Sequence, residues 1–280
     1  MSSMPRSLCI CVDDYGLHEG INDAAISLAQ MGRVHAISCM TAGLTWRTQA
    51  QRLIPIAACG VDIGLHLDFT EKLPGQVKRW PLGKFIALSY FRQLGRAAIR
   101  AEIIRQLDCF EQYFCNAPTY VDGHQHVHQL PIVREELLAQ LALRYPTKRP
   151  WLRNTRSVGL DWQAAGEGWR AVVKPWGIAL LGSRGLSAQA LKQGHAQNQR
   201  LLGVYDFSGG AARYMQLLQK WFKQAQTGDL LMSHPSGQAN AVDTLLPARQ
   251  AEFSVLASEA FQQLLVHENI ELKAVSRMRL

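Results

Sequence analysis

The sequence lacks most of the patterns that assign a chain to a well-marked protein class. No two of its six cysteines have the C-x-x-C spacing, which excludes zinc ribbons and thioredoxin-like redox sites. No G-x-G-x-x-G follows the first apolar segment, so nothing favours a dinucleotide cofactor. The cysteines lie within apolar segments, and we expect buried, reduced thiols at Cys9, Cys11, Cys39, Cys59, Cys109 and Cys115.

Long hydrophobic runs are also missing. No apolar run approaches the roughly 18 to 20 residues that are needed to cross a bilayer. Residues 1–7 contain an arginine but no apolar segment of the kind that forms a signal peptide. We therefore expect a cytoplasmic protein.

Charge clusters are missing too, although the net charge is +8 and the pI is about 9.3. The positive residues are dispersed, and no recognition-helix or RNA-binding signature is present, so we expect no nucleic-acid partner. A hydrophobic content of 48% in 280 residues is sufficient for a large globular core.

The sequence does contain an alternation of strand-like and helix-like segments, which predicts a parallel β/α architecture. We expect one domain over residues 1–280, an α/β fold that is a single (β/α) barrel, TIM-barrel-like and open to irregularity, with inserted segments. A doubly wound sheet is the alternative. Strands are predicted at 8–12, 35–40, 61–67, 119–128, 151–154, 229–234 and 270–274, and helices at 21–31, 45–53, 97–114, 131–143, 211–226 and 249–267. The hydrophobic residues of segments 71–95 and 156–203 have no regular spacing, so no element is predicted there.

The segment from Thr119 to Pro131 carries histidines at every second position. In a strand, Asp122, His124, His126 and His128 would leave on the same face. Imidazole suits zinc, nickel, cobalt and iron, so such a face predicts a metal site. The alternative is a polar loop with solvated histidines.

Other polar side chains follow predicted strands, and active groups of parallel β/α folds gather at the carboxyl ends of strands. Asp13 and Asp14 end the first strand, His66 the third, Arg153 a later one and His234 the last but one. Each has a structural alternative: a turn for the aspartates, a hydrogen-bonded core position for His66, and a strand-ending turn for His234. Together they predict one shared site.

An Asp-His-His set would leave coordination positions of a divalent metal open to water and to a substrate carbonyl. A second carboxylate could accept the proton of the water, and a histidine opposite could protonate a departing amine. These parts suit hydrolysis of an amide.

The motifs resemble those of the YdjC-like carbohydrate deacetylase family, which includes chitooligosaccharide deacetylases and a branch associated with hopanoid biosynthesis. The resemblance spans about residues 8–235. It is carried by Asp13-Asp14-Tyr15-Gly16, Gly64-Leu65-His66-Leu67, Asp122-Gly123-His124-Gln125-His126-Val127-His128 and Ser233-His234-Pro235. The family usually has Phe at the position of Tyr15, and the residues around His234-Pro235 also differ.

The resemblance implies a TIM-barrel-like deacetylase fold and one divalent metal ion, Mg²⁺ or Zn²⁺. Mapped onto this chain, the implied metal ligands are Asp14, His66 and His124. Asp13 is implied as the general base and His234 as the general acid. The resemblance further implies residues that support the ligands from behind or touch the substrate: Asp122, His126, His128 and Arg153. Arg153 would orient Asp13 or the substrate.

The implied substrate is an N-acetylated sugar, either an oligosaccharide or a lipid-linked glycan. Segment 78–100 combines aromatic and basic residues, which suggests a cover over the site mouth that touches an anionic or lipid-linked substrate through peripheral membrane contact. The alternative is a packed helix with a solvated basic face. The sequence does not indicate the oligomeric state.

Two other functions are alternatives to a deacetylase. A phosphoesterase would need a two-metal centre and more carboxylate ligands than the motifs supply. A non-catalytic carbohydrate-binding or regulatory barrel would not need the intact pair of acidic groups.

Overall fold

Strand β1, residues Arg6–Tyr15, forms the centre of the sheet in the computed structural model, which describes residues 4–72, 79–157, 182–237 and 243–278. Its sequence alternates Cys9, Cys11 and Asp13 with larger aliphatic residues, and every residue from Leu8 to Tyr15 is buried. β1 pairs in parallel with strands on both of its sides. A strand that is covered on both faces is typical of parallel β/α folds.

The sheet has the order β5-β4-β3-β2-β1-β7-β6, with β8 alongside the start of β1, and every pairing is parallel. Isolated parallel bridges, Leu152 to Gln197 and Ser157 to Leu201, connect the two ends of this order. The sheet therefore curves back on itself, and the predicted irregular (β/α) barrel is confirmed. The remaining strands are β2 Ala36–Cys39, β3 Asp62–Leu67, β4 Tyr120–Gly123, β5 Trp151–Leu152, β6 Leu201–Leu202, β7 Asp229–Ser233 and β8 Ile270–Leu272.

Helices occupy most of the segments between the strands. They are α1 Glu19–Gln30, α2 Trp46–Gln49, α3 Leu53–Ala58, α4 Leu82–Tyr90, α5 Arg96–Phe114, α6 Val133–Arg144, α7 Ser183–Lys192, α8 Gly210–Gln224, α9 Leu246–Leu256 and α10 Glu259–His267. Among the described residues, no helix is both long enough and apolar enough to span a membrane.

Two helix predictions need correction, and three elements occur where none is predicted. The single helix predicted at 249–267 is two helices, because the Ser258 hydroxyl accepts a hydrogen bond from the Phe261 amide and starts α10 as an N-cap. The helix predicted at 45–53 is α2, a 3₁₀ turn and α3. Helix α4 lies within 71–95, and helix α7 and strand β6 lie within 156–203, where the sequence shows no regular spacing of apolar residues. Residues 73–78 and 158–181 lie outside the described part.

The barrel interior changes from apolar to charged along the strands. On β1, Leu8, Ile10 and Val12 pack into the large cluster that contains the helices, whereas Cys9 and Cys11 belong to a separate, inner cluster. Asp13 continues the phase of these cysteines, since alternate residues of a strand share a face. The same phase relates Tyr120 to Asp122 on β4 and Trp151 to Arg153 beyond β5. The carboxyl end of the barrel interior is therefore lined with charged groups.

A glycine creates the space for the inner aromatic layer. A Cβ added to Gly64 on β3 would come within 2.5 Å of the Tyr120 ring, which stacks on Trp151 at 4.1 Å between centroids. A side chain at position 64 would displace this ring pair. Gly64 thus sets the packing directly beneath His66, two residues along the same face.

Candidate metal centre

Three side chains from separate parts of the chain converge at the carboxyl end of the barrel. Asp14, His66 and His124 offer ligand atoms that all lie within 4.8 Å of one another. Asp14 Oδ1 is 3.2 Å from His124 Nδ1 and 3.5 Å from His66 Nε2. This set is the Asp-His-His combination that the sequence motifs imply.

Asp14 separates from Asp13 because the backbone changes conformation between them. Asp14 has a φ of 68°, in the left-handed region, and the pairing register of β1 with β2 shifts between Val12 and Tyr15. The carboxylate is 1% exposed, and its Oδ2 accepts a 2.7 Å hydrogen bond from Arg249 on α9. Burial opposes ionisation of Asp14, but Arg249 and His124 hold its pKa well below the usual range.

His66 is held rigidly by strand β3 and by a carboxylate behind it. Its Nδ1 lies 2.7 Å from Asp122 Oδ1, and Ser38 donates a 2.5 Å hydrogen bond to the other oxygen of Asp122. Burial acts to lower the pKa of His66, but Asp122 outweighs it and raises the pKa. With Nδ1 engaged by Asp122, Nε2 faces Asp14.

His124 reaches the site from a turn, so the prediction of a histidine-lined strand is wrong. Strand β4 ends at Gly123, and a 3₁₀ segment runs from His124 to Gln129. Gln125 and His126 have φ values of 51° and 60°, which turn the chain sharply. The histidines therefore do not share a face, and among them only His124 joins Asp14 and His66.

Both ring nitrogens of His124 contact carboxylates. Nδ1 lies 3.2 Å from Asp14, and Nε2 lies 3.1 Å from Glu71, which follows β3. Burial would lower the pKa of His124, but the hydrogen bonds with Asp14 and Glu71 raise it to about 10. The ring must lose a proton before it can ligate a metal, and a bound cation would replace the electrostatic role of that proton.

Asp13 is paired with the fully buried Arg153. The two terminal guanidinium nitrogens donate 2.6 Å hydrogen bonds to Asp13 Oδ2 and Oδ1. Burial opposes ionisation of Asp13, and Arg153 overcomes it, so the pKa of Asp13 is strongly lowered. The pair keeps the carboxylate ionised and fixes its plane.

Arg153 also occupies a second group of metal-capable residues, formed by Cys11, Asp13 and Asp122. One of its nitrogens is 2.9 Å from Cys11 Sγ and 2.6 Å from Asp122 Oδ2. The cation of this second group is therefore a guanidinium, which leaves the group of Asp14, His66 and His124 as the one that could hold a metal ion.

His234 lies just beyond the end of β7, close to Asp13. Its Nε2 is 3.9 Å from Asp13 Oδ2, and its ring meets Phe207 edge-on at 5.2 Å. Burial lowers the pKa of His234 to about 4, so the ring is neutral at neutral pH. Glu252 on α9 accepts a 2.5 Å hydrogen bond from the His234 amide and fixes the backbone there.

His126 and His128 are both buried. His128 Nε2 is 3.0 Å from the carbonyl oxygen of Arg153, and burial lowers the pKa of His128 to about 4. Burial also lowers the pKa of His126, with further contributions from His128 and Arg153. The contact of His128 with the Arg153 backbone helps to hold the chain in place where Arg153 follows β5.

The sequence motifs did not point to Glu71, Arg249 or Glu252. Glu71 lies four residues beyond the end of β3, in a segment whose apolar residues have no regular spacing. Arg249 and Glu252 are three residues apart in a helical segment, so they share a face, and both are buried charges. Buried charges on one helix face can indicate a site, but nothing in the sequence shows that this face is buried.

The donor set fits a single divalent ion. Two ligands about 2.1 Å from one ion, at angles between roughly 90° and 110°, are about 3.0–3.4 Å apart. The 3.2 Å separation from Asp14 Oδ1 to His124 falls within this range, and the 3.5 Å separation to His66 lies just above it. Two imidazoles and a carboxylate suit zinc and similar metals better than magnesium, which prefers oxygen ligands.

Residues 7–267 match the family model described as YdjC-like protein. A chitooligosaccharide deacetylase of Enterobacter sp. (strain 638) is 31% identical over 152 residues, covering 50% of this chain and 57% of the relative. A carbohydrate deacetylase of Homo sapiens is 29% identical over 171 residues, covering 56% of this chain and 52% of the relative. The chain thus spans about half the length of these relatives.

Among solved structures, a presumed cellobiose-phosphate cleavage protein of Enterococcus faecalis V583 has the same fold. It superposes with a TM-score of 0.69 over 97% of this chain and 98% of the other, at 18% identity. This similarity extends over nearly the whole of both chains and agrees with the irregular barrel described above.

Proposed function

The chain belongs to the YdjC-like protein family, and from this premise we propose that it is a metal-dependent hydrolase that removes the acetyl group of an N-acetylated sugar. The observation that carries the proposal is the convergence of Asp14, His66 and His124 beside the Asp13–Arg153 pair. In this proposal the first three residues hold one divalent metal ion. When bound, the ion would polarise the acetyl carbonyl and lower the pKa of a water molecule.

Asp13 is the proposed general base. Arg153 keeps it ionised, so the carboxylate is ready to accept a proton at neutral pH. The same guanidinium weakens Asp13 as a base, and a strongly acidified water is needed to match it. The fixed orientation of the carboxylate offsets part of this weakness, since no side-chain freedom is lost during the reaction.

His234 is the proposed acid that protonates the departing amine. Because burial keeps its ring neutral, it must first receive a proton. Asp13 Oδ2, 3.9 Å from His234 Nε2, is a suitable source after it has accepted the proton of the water. One proton would thus pass from the attacking water through Asp13 and His234 to the amine, which leaves as the free sugar amine beside acetic acid. The acid then loses its proton to solvent and becomes acetate.

The proposed substrate class rests on the names of the relatives, which are chitooligosaccharide and carbohydrate deacetylases. Since the alignments cover about half of those proteins, the substrate is a proposal for this chain. Both a free oligosaccharide and a lipid-linked glycan remain candidates.

The test is a screen for acetate release. Protein stripped with a chelator is reloaded with Zn²⁺ or Mg²⁺ and incubated with N-acetylated sugars, both free and lipid-linked. We expect about one metal ion per chain and acetate released in proportion to the metal bound. Metal and sugar binding without acetate would indicate a carbohydrate-binding barrel. Phosphate release from phosphorylated sugars, with two metal ions per chain, would indicate a phosphoesterase.

Three further expectations stay predictions: one domain over residues 1–280, a cytoplasmic location and peripheral membrane contact. In segment 78–100, Arg92 and Arg96 pair with Glu135, which reduces the basic character of this face. Trp80 is 39% exposed, with Lys84 Nζ 4.5 Å from its ring centroid, and Phe91 is 76% exposed. Unchanged vesicle binding after Lys84→Ala and Phe91→Ala substitution would contradict the membrane contact.

A further inference from the structure

Each of the three proposed metal ligands has a charged partner at its second polar atom. His66 Nδ1 contacts Asp122, and Asp14 Oδ2 contacts Arg249. His124 Nε2 contacts Glu71 at 3.1 Å. The first two contacts are buried and formed by strands or a helix, whereas Glu71 lies on a loop at the edge of the site.

We infer that Glu71 is a positioning residue for the metal ligand His124, an inference that rests on the proposed metal site. A carboxylate at the outer nitrogen of a ligating histidine fixes the tautomer and the ring plane and increases the basicity of the inner nitrogen. With Glu71 at Nε2, the nitrogen that faces Asp14 and the metal position is Nδ1. Asp122 has the corresponding place behind His66, so the two histidines are held in the same way.

His124 needs such a partner more than His66 does. His66 lies within β3, whereas His124 begins a turn in which the next two residues have positive φ. Within the described parts of the chain, no strand pairing holds the His124 backbone, because β4 ends at Gly123. The orientation of the ring therefore depends on its two carboxylate contacts.

The loop that carries Glu71 is itself held in place. Asp68 Oδ1 accepts hydrogen bonds from the amides of Thr70 and Glu71, at 2.8 and 2.9 Å. The Gln106 side chain, from α5, pairs with the Asp68 backbone at both its amide and its carbonyl. Asp68 and Gln106 are completely buried. The Glu71 backbone thus has a defined position, while its side chain is 33% exposed and can be changed with little effect on packing.

The experiment compares Zn²⁺ affinity, by calorimetry of chelator-stripped protein, among the parent and three variants. Glu71→Ala should bind Zn²⁺ about 10- to 100-fold more weakly, the usual consequence of losing an outer partner of a histidine ligand. Glu71→Gln should stay within a few-fold of the parent, because its amide oxygen accepts the same hydrogen bond. The control is Glu135→Gln, which removes a carboxylate of similar exposure, 24%, that pairs with arginines away from the site.

The visible absorption spectrum of the Co²⁺-loaded protein gives a second readout, which a general loss of stability would not change. We expect the Glu71→Ala spectrum to shift relative to the parent and the Glu71→Gln spectrum to match it. Equal Zn²⁺ affinity and identical spectra for Glu71→Ala and the parent would overturn the inference and leave the proposed function intact. If Glu71→Gln bound Zn²⁺ as weakly as Glu71→Ala, the inference would also be overturned, since Glu71 would then act as a ligand of the ion. A parent that binds neither ion would instead refute the proposed metal site.

Discussion

The site joins two regions of different construction. The strand-borne group consists of Asp13, His66, Asp122 and Arg153, which stand on or next to β1, β3, β4 and β5 and are at most 2% exposed. The loop-borne group consists of Glu71, His124 and His234, with side chains 33%, 14% and 14% exposed. Strand pairing positions the first group, whereas local hydrogen bonds position the second.

The two groups differ in how strongly their members depend on one another. The strand-borne group is a closed network of charges in which Arg153 links Asp13 to Asp122, and Asp122 links to His66. Changing one member disturbs the others, because buried charges depend on their partners. The side chains of the loop-borne group are more exposed, so we expect substitutions among them to cost less folding stability.

The largest effect is expected for Asp13→Asn. Loss of the proposed base should reduce turnover by about 10²- to 10⁴-fold, while Asp14, His66 and His124 retain the metal. Acetate release and metal content are measured on the same preparation. Parallel loss of metal would show that Asp13 belongs to the ligand set rather than beside it.

Arg153→Met should cause the largest loss of stability. It leaves Asp13 and Asp122 buried without their cation, and removal of one partner from a buried ion pair costs about 3–5 kcal/mol. Arg249→Met is the matched substitution. It removes the cation beside Asp14, but Asp14 keeps its contacts with His66 and His124, so the loss of stability should be smaller. Denaturant unfolding of both variants checks this order, and an equal cost would remove the distinction between the two arginines.

His66→Ala and His124→Ala should both abolish metal binding but differ in stability. His66→Ala leaves Asp122 Oδ1 buried without a donor, at a cost of about 1–3 kcal/mol. His124→Ala leaves Glu71 free to turn towards water, so its cost should be lower. Unfolding is compared in the presence of a chelator, so that metal binding does not contribute. A greater loss for His124→Ala would contradict the greater rigidity of the strand-borne group.

A smaller effect is expected from the pH dependence of stability at His128. Burial lowers the pKa of His128 in the folded protein from 6.5 to about 4. As the pH falls from about 6.5 to 4, the unfolded chain takes up a proton that the folded chain does not. The free energy of unfolding should then fall by up to about 1.4 kcal/mol per pH unit from this group, and the contribution should be constant above pH 7.

His128→Gln should make this decline shallower. Substitution of His267, an exposed histidine on α10, serves as the control with the same number of histidines removed. Urea unfolding at pH 7, 6, 5 and 4 gives the comparison. An unchanged slope in His128→Gln would mean that His128 is not responsible.

The periodicity of the chain was sufficient to predict the barrel, because buried parallel strands and amphipathic helices leave distinct patterns in sequence. The segments around Leu8–Val12, Val61–Leu67 and Asp229–His234 became β1, β3 and β7. Helix α4 is not predictable in this way, because its apolar residues have no regular helical spacing. The helix boundary at Ser258 is not predicted from the spacing of apolar residues, because that spacing continues across it. The boundary depends on a local N-cap hydrogen bond instead.

The sequence by itself determined which residue types stand at the strand ends, and hence that carboxylates, imidazoles and a guanidinium would meet at one end of the barrel. Only the tertiary structure decided how they pair. The turn after Gly123 separates three histidines that a strand would have aligned, because two consecutive residues adopt positive φ. The partners of the ligands also come from distant positions: Arg249 lies 235 residues from Asp14, and Glu71 lies 53 residues from His124. Such contacts follow from the closure of the barrel, which brings together residues with no periodic relation along the chain.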